Sequence, residues 1–491
     1  MFFNSPGQSA AQPLIGNMMA GRISRRRLLG SAAVASLMPL PLVSAAAATQ
    51  VANTLLVERR VIEVNGRAAH VFGIRQPNGT HGLTLNPSQP FDVGVSNRCG
   101  EVTIIHWHGQ TPPFLQDGVA EVGGSLIEPQ SEKRYTFPAR SGTHWMHSHH
   151  GLQEQALMAA PLIVRTADDV RADMHDVTIL LHDFSFLAPS EVLARVTGST
   201  NSGMAHASMP GMDMKPDATK PDLNDFDYDA YLANDRTLSD PQIIRAARGG
   251  RVRLRVINGA TSTAFWIDTG ELNGRVVAAD GNIVQPVSGR RFPLAQGQRL
   301  DIVVQMPPDG GAFPVLAQRE GDRHRTGVIL ATAGAPIRKV PGLAEIKVSA
   351  IDNSLEHKLV AMTPLTPSTD AIIHRIALTG TMAPYAWSID NRTWANRTPL
   401  RAGRGKRVVI EMSNTSQMAH PMHLHGHHFQ VIALDGAPLR GAMRDTVLVP
   451  ASGSVTIAFD ADNPGSWLFH CHNLFHMATG MMTELVYDET V

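Results

Sequence analysis

Apolar and polar residues alternate through three stretches that each close on asparagine: Phe91-Asp-Val-Gly-Val-Ser-Asn97, Val252-Arg-Leu-Arg-Val-Ile-Asn258 and Val408-Val-Ile-Glu-Met-Ser-Asn414. A period of two sends successive side chains to opposite faces, so each stretch reads as a β-strand. The three asparagines are 161 and 156 residues apart. That interval is the length of a domain and far exceeds a solenoid repeat. Further short β-branched runs, such as 301–305 and 446–450, lie between Gly, Pro and Asp turns. Many short strands with turn signals between them predict an all-β protein built of sandwiches. The chain of 491 residues is long enough for three of them. The expected domains are 50–168, 172–338 and 345–491.

The N-terminal region follows a different pattern. Glu58 is the first acidic residue, and before it come Ser24-Arg25-Arg26-Arg27-Leu28-Leu29 and an apolar stretch broken by Pro39 and Pro41. The stretch ends in Ser44-Ala45-Ala46-Ala47-Ala48. Paired arginines before leucines, with an Ala-x-Ala exit, predict a twin-arginine signal peptide over 1–48, cut after Ala46 or Ala48. No other window is apolar enough to span a bilayer, so the expected mature protein is periplasmic and lacks a membrane span. The 43 basic and 43 acidic residues balance, which gives no reason to expect nucleic acid or an anionic membrane as partner.

Histidine changes the picture. Random placement of 22 His in this chain would give about one His-x-His pair. Four occur in four short motifs: His106-Trp-His108, His147-Ser-His149, His420-Pro-Met-His423-Leu-His425 and His470-Cys471-His472-Asn-Leu-Phe-His476. On a strand, residues i and i+2 share a face, so each pair offers two imidazoles to one point. Eight imidazoles exceed the needs of one mononuclear site, and imidazole alone suits copper, zinc, iron or nickel. The remaining residues select among them. His420, Cys471 and His476, with Met481 ten residues beyond the cysteine, form the His2Cys set with an axial Met expected of a blue-copper centre. Copper is therefore the expected cofactor. Cys99 is then left alone, a small buried hydrophobe with no disulfide partner.

These motifs resemble those of the multicopper oxidases, whose layout implies three cupredoxin-like Greek-key β-sandwich domains. The resemblance assigns His420, Cys471, His476 and Met481 to a type 1 copper. It assigns His106 and His423 to a type 2 copper, and His108, His147, His149, His425, His470 and His472 to a type 3 pair, four ions in all. It also implies that His470-Cys471-His472 links the centres covalently, and that dioxygen is reduced to water with electrons from a small reducing substrate. That substrate is a phenol or aromatic amine, as in laccases, or Cu(I). Residues 175–345 hold only His175, His182, His206 and His324 and no cysteine, so the middle domain is expected to serve as a spacer. Copper nitrite reductases, which lack four such pairs, fit less well. A copper-free cupredoxin scaffold of the cell envelope has no use for twelve ligands at these spacings.

Other residues lie beside the ligands. His144, His150, His427 and His428 neighbour the motifs and read as supporting or surface imidazoles. Asp117, nine residues after His108 in Gln-Asp-Gly, marks a turn, and by the resemblance it assists proton delivery. Many bacterial relatives carry a proton-relaying Glu where this chain has Met477. Residues 204–214 hold Met204, Met209, Met212, Met214 and His206, soft ligands suited to Cu(I) on a segment broken by Pro210 and Gly211. This segment and Gly151-Leu-Gln-Glu-Gln155 resemble the copper-resistance protein A branch. Gly426-His-His-Phe-Gln-Val431 and Arg444-Asp445-Thr446-Val447 look more like ordinary laccases.

Overall fold

A computed structural model describes residues 53–199 and 223–488. The expected signal peptide and the Met-rich segment 204–214 lie outside the described residues. The rest is all-β, as expected, and each repeat of the alternating pattern is the centre of a sandwich.

In the first sandwich, strands Asn53–Val64, Arg67–Arg75, Phe91–Asn97 and Glu132–Phe137 form one sheet, and Leu83–Leu85, Ile105–His106, Gly142–Ser148 and Ala159–Val164 form the other. Six-stranded and five-stranded sheets between 175 and 331 make the second sandwich. Seven-stranded and five-stranded sheets between 371 and 487 make the third. Each sandwich has its own apolar core, with Phe91 and Tyr135 in the first, Phe265 and Ile302 in the second, and Phe429 and Trp467 in the third.

The closing asparagine has one structural task, performed three times. Each strand that carries it runs parallel to the opening strand of its sandwich. The Asn97 amide donates to the carbonyls of Glu101 and Ile127, Asn258 to those of Thr263 and Leu294, and Asn414 to those of Met418 and Val449. The carbonyl oxygens of the three side chains accept from the backbone of Cys99, Ala260 and Ser416. A buried amide satisfied on both ends fixes the loop that follows it. In the third sandwich that loop leads into His420. Both cysteines are free and buried, and the Cys99 thiol donates to Asn97 and Glu101. Among the described residues, no helix is long and apolar enough to cross a membrane.

Candidate metal centres

The register of the strands pairs the motifs before any metal is considered. His106 lies directly opposite His147 in the first sandwich, and His423 lies opposite His470 in the third. The second member of each pair lies at or just past the end of its strand. Strands end at His106, Ser148, Leu424 and Cys471, so His108, His149, His425 and His472 fall just beyond the pairing. Their backbones stay tied to the sheet all the same: the N–H groups of His149, His425 and His472 donate to the carbonyls of Ile104, Leu468 and Pro421.

All eight imidazoles meet where the first and third sandwiches touch. His149 and His470 have ring centroids 5.4 Å apart, and His147 and His472 are 5.3 Å apart. The Nε2 atoms of His425 and His470 face each other at 2.9 Å. Candidate ligand atoms of His149, His425 and His470 lie within 4.8 Å of one another, as do those of His106, His108 and His147. Most of the outward nitrogens are anchored. His106 Nδ1 meets the Asp117 carbonyl at 3.0 Å, and His423 Nδ1 meets the Asp445 carbonyl at 2.8 Å. His425 Nδ1 meets Asp117 Oδ2, and His147 Nδ1 meets Glu154 Oε2, each at 2.8 Å. His108 is reversed, with Nε2 held by Asp445 Oδ1 at 3.1 Å.

The inward nitrogens are the informative ones. Nε2 of His106, His147, His149 and His423, Nδ1 of His108 and both ring nitrogens of His472 are buried without a hydrogen-bond partner. One orphaned buried polar atom costs roughly 1–3 kcal/mol. Such atoms on six clustered histidines fit metal ions that would accept their lone pairs. Burial lowers the pKa of His108, His147, His149, His423, His425 and His470 well below the ordinary value, and that of His472 to about 3. Neutral imidazole is the form that binds metal.

The second centre lies inside the third sandwich. His420 Nδ1 and His476 Nδ1 are 3.0 Å apart, and Cys471 Sγ is 3.6 and 3.5 Å from them. His476 rides on the short helix Leu474–Thr479, whose first turn is capped by the Asn473 side chain. Met481 is buried in the same core, and its carbonyl accepts the Cys471 N–H. Burial pushes the Cys471 thiol up, so only a cation at the site would favour the thiolate.

Among the described residues the middle sandwich supplies no imidazole to either centre, yet it does more than space the other two. Gly297 lies in the left-handed region at φ +78°, and a Cβ there would stand 2.8 Å from the His472 ring and 3.2 Å from His108. The Arg299 guanidinium forms a bidentate pair with Asp445 at 2.6 and 2.5 Å. Burial opposes the charge of Asp445, and Arg299 overrides it, so the carboxyl sits far below its usual range. Asp225 reaches across to His476 Nε2 at 3.2 Å.

Asp117 sits in the turn read from Gln-Asp-Gly. Gly118 follows at φ +85°, where a Cβ would collide with the Ile105 carbonyl, so the turn packs directly on the strand bearing His106. The neighbouring histidines bind protein groups. His427 pairs with the Tyr487 hydroxyl, His428 with the Gly109 carbonyl and His144 with the Ser141 carbonyl. The sequence gives no direct signal that Glu154, Asp445, Arg299 and Asp225 belong to the site. The motifs containing Glu154 and Asp445 stood out there only as branch markers. Asp225 and Arg299 lie in a region without ligand spacing, and no local pattern marks them. Burial raises the Glu154 carboxyl to about 7.

Three linked cupredoxin-like sandwiches with two buried histidine-rich centres define the class of copper-dependent oxidases. Three family models, each described as Multicopper oxidase, match residues 57–169, 198–335 and 367–491, and the chain belongs to that family. It is 32% identical to "Multicopper oxidase MmcO" of Mycobacterium tuberculosis over 407 residues, covering 80% of this chain and 79% of that protein. It is 25% identical to "Copper resistance protein A" of Escherichia coli, covering 80% of this chain and 86% of the relative. Among solved structures, Fet3p, titled a multicopper oxidase that functions in iron import, superposes with a TM-score of 0.72 at 18% identity, covering 89% of this chain and 90% of that one. The laccase from Botrytis aclada also gives 0.72, at 21% identity, covering 88% of this chain and 87% of that one. The protein is thus an oxidoreductase with copper as cofactor.

Proposed function

We propose that the twelve motif residues hold four copper ions, and that the enzyme couples one-electron oxidation of a small donor to the four-electron reduction of dioxygen to water. His420, Cys471, His476 and Met481 would hold the type 1 ion. His106 and His423 would hold the type 2 ion, and His108, His147, His149, His425, His470 and His472 the type 3 pair. Bound copper supplies one-electron redox chemistry at the first centre and a place for dioxygen at the second. The single observation that carries this reading is the ring of buried, unpartnered nitrogens aimed at one space between two sandwiches.

The protein's own groups do the rest. Cys471 is joined through the backbone to His470 and His472, which gives electrons a covalent path between the centres. Asp117, bonded to His425 and beside His106, stands where a proton can be held close to the reacting oxygen. The domain boundaries 50–168, 172–338 and 345–491, and export to the periplasm by the twin-arginine signal of 1–48, belong to the same reading. The donor is a phenol or aromatic amine, or Cu(I) captured by the thioethers of Met204, Met209, Met212 and Met214.

Two measurements test this. Four donors oxidised per dioxygen consumed, without hydrogen peroxide, is the expected stoichiometry, whereas a two-to-one ratio with peroxide contradicts it. Changing the four methionines to Ser should lower Cu(I) oxidation severalfold while leaving phenol turnover intact. Equal loss of both activities would assign the segment a folding role, and no loss of either would remove it from the mechanism.

A further inference from the structure

The two imidazoles of the candidate type 1 centre are treated differently at their outer edges. His420 Nε2 meets the Ser416 hydroxyl at 2.8 Å, a neutral partner. His476 Nε2 meets Asp225 Oδ1 at 3.2 Å, and the Asp225 side chain is 0% exposed. Asp225 has two more partners: the Tyr385 hydroxyl donates to it at 2.7 Å and the Asn473 amide at 2.5 Å. Three donors converge on this carboxyl, the arrangement an anion requires, since a protonated acid would need an acceptor. With His476 Nδ1 turned toward Cys471 and His420, its Nε2 carries the proton and donates it to Asp225. The indole of Trp387 stacks on the same ring at 4.1 Å and holds its plane.

We infer that Asp225 is a positioning residue of the type 1 centre, whose buried carboxylate biases the copper there toward its oxidised form and so restricts the enzyme to readily oxidised donors. This rests on the type 1 assignment made above. A carboxylate bonded to the far nitrogen of a ligand histidine raises the basicity of the ligand. Added negative charge near a metal favours the state of higher positive charge, here Cu(II) over Cu(I). Because Asp225 closes the His476 edge and is itself buried, a donor cannot touch that nitrogen. A centre held toward Cu(II) accepts electrons readily only from easily oxidised donors, which suits cuprous ion and dihydroxy or amino phenols better than simple monophenols.

The test is a redox titration of the blue absorption in the copper-loaded full chain. Asp225→Asn removes the charge at nearly constant shape and should shift the Cu(II)/Cu(I) ratio at a fixed potential about tenfold toward Cu(I), a rise of about 59 mV for one electron. Tyr385→Phe removes one donor, leaves more of the charge on His476, and should shift the potential the other way by a smaller amount. Oxidation of a simple monophenol relative to a hydroquinone should rise severalfold in Asp225→Asn. Opposite shifts in two blue, copper-replete variants are not produced by a packing defect. An unmoved potential, or two shifts of the same sign, overturns the inference, and an unchanged donor ratio overturns its statement about substrates. If Asp225→Asn does not hold copper, Tyr385→Phe decides: a fall supports the role, and no change or a rise refutes it. A wild type that binds copper without turning blue would instead overturn the type 1 assignment itself.

Discussion

The eight imidazoles at the cluster come from strand ends of two sandwiches, whereas His420, Cys471 and His476 all come from one. The cluster is an interface, and its geometry depends on how well the first and third sandwiches are held together. The Arg299–Asp445 pair and the backbone at Gly297 provide that hold from the middle sandwich, against His108 and His472. The second centre is enclosed in a single core, with the loop after Asn414 on one side and a capped helix on the other. Damage to the interface should therefore empty the cluster and spare the blue site. Damage at Cys471 should do the reverse.

The largest effect tests the second half of this contrast. Cys471→Ser should abolish the colour and stop oxidation while leaving about three coppers bound, as metal analysis would show. Loss of all copper would mean that the two centres fold as one unit.

Arg299→Leu tests the first half. It leaves Asp445 buried without its partner, and breaking such a pair costs about 3–5 kcal/mol. The variant should lose cluster copper and thermal stability yet remain blue. An oxidase with full copper and unchanged stability would return the middle sandwich to the role of a spacer.

Smaller effects separate the carboxylates around the cluster. Glu154→Ala frees His147 Nδ1 and should weaken cluster copper roughly 10–100-fold, in line with other residues that orient metal-bound histidines. Asp117→Asn should keep its copper and slow dioxygen reduction while donor oxidation at the type 1 site stays fast. If the two variants behave alike, both carboxylates serve only to orient imidazoles.

The same contrast explains what could be read from the sequence. His-x-His spacing and the Cys471, His476 and Met481 intervals are local, so all twelve candidate ligands stood out. The Asn-closed strands likewise marked three sandwiches, because a buried asparagine stitching a loop is needed once in each. What supports the ligands is not local. Asp225 meets His476, and Arg299 meets Asp445, only after three sandwiches have folded around one another, and neither residue carries a spacing signal. The second His of each pair lies at or just past the strand end, and backbone hydrogen bonds from His149, His425 and His472 keep it on the sheet.

The central claim is that two centres, one within a sandwich and one between two, hold four coppers on these twelve residues. The most direct measurement is a crystal structure of the copper-loaded protein with anomalous scattering recorded at the copper edge. The account predicts four peaks: one among His420, Cys471, His476 and Met481, and three within the ring of eight imidazoles. A fully loaded crystal with copper elsewhere, or with none between the first and third sandwiches, would contradict it.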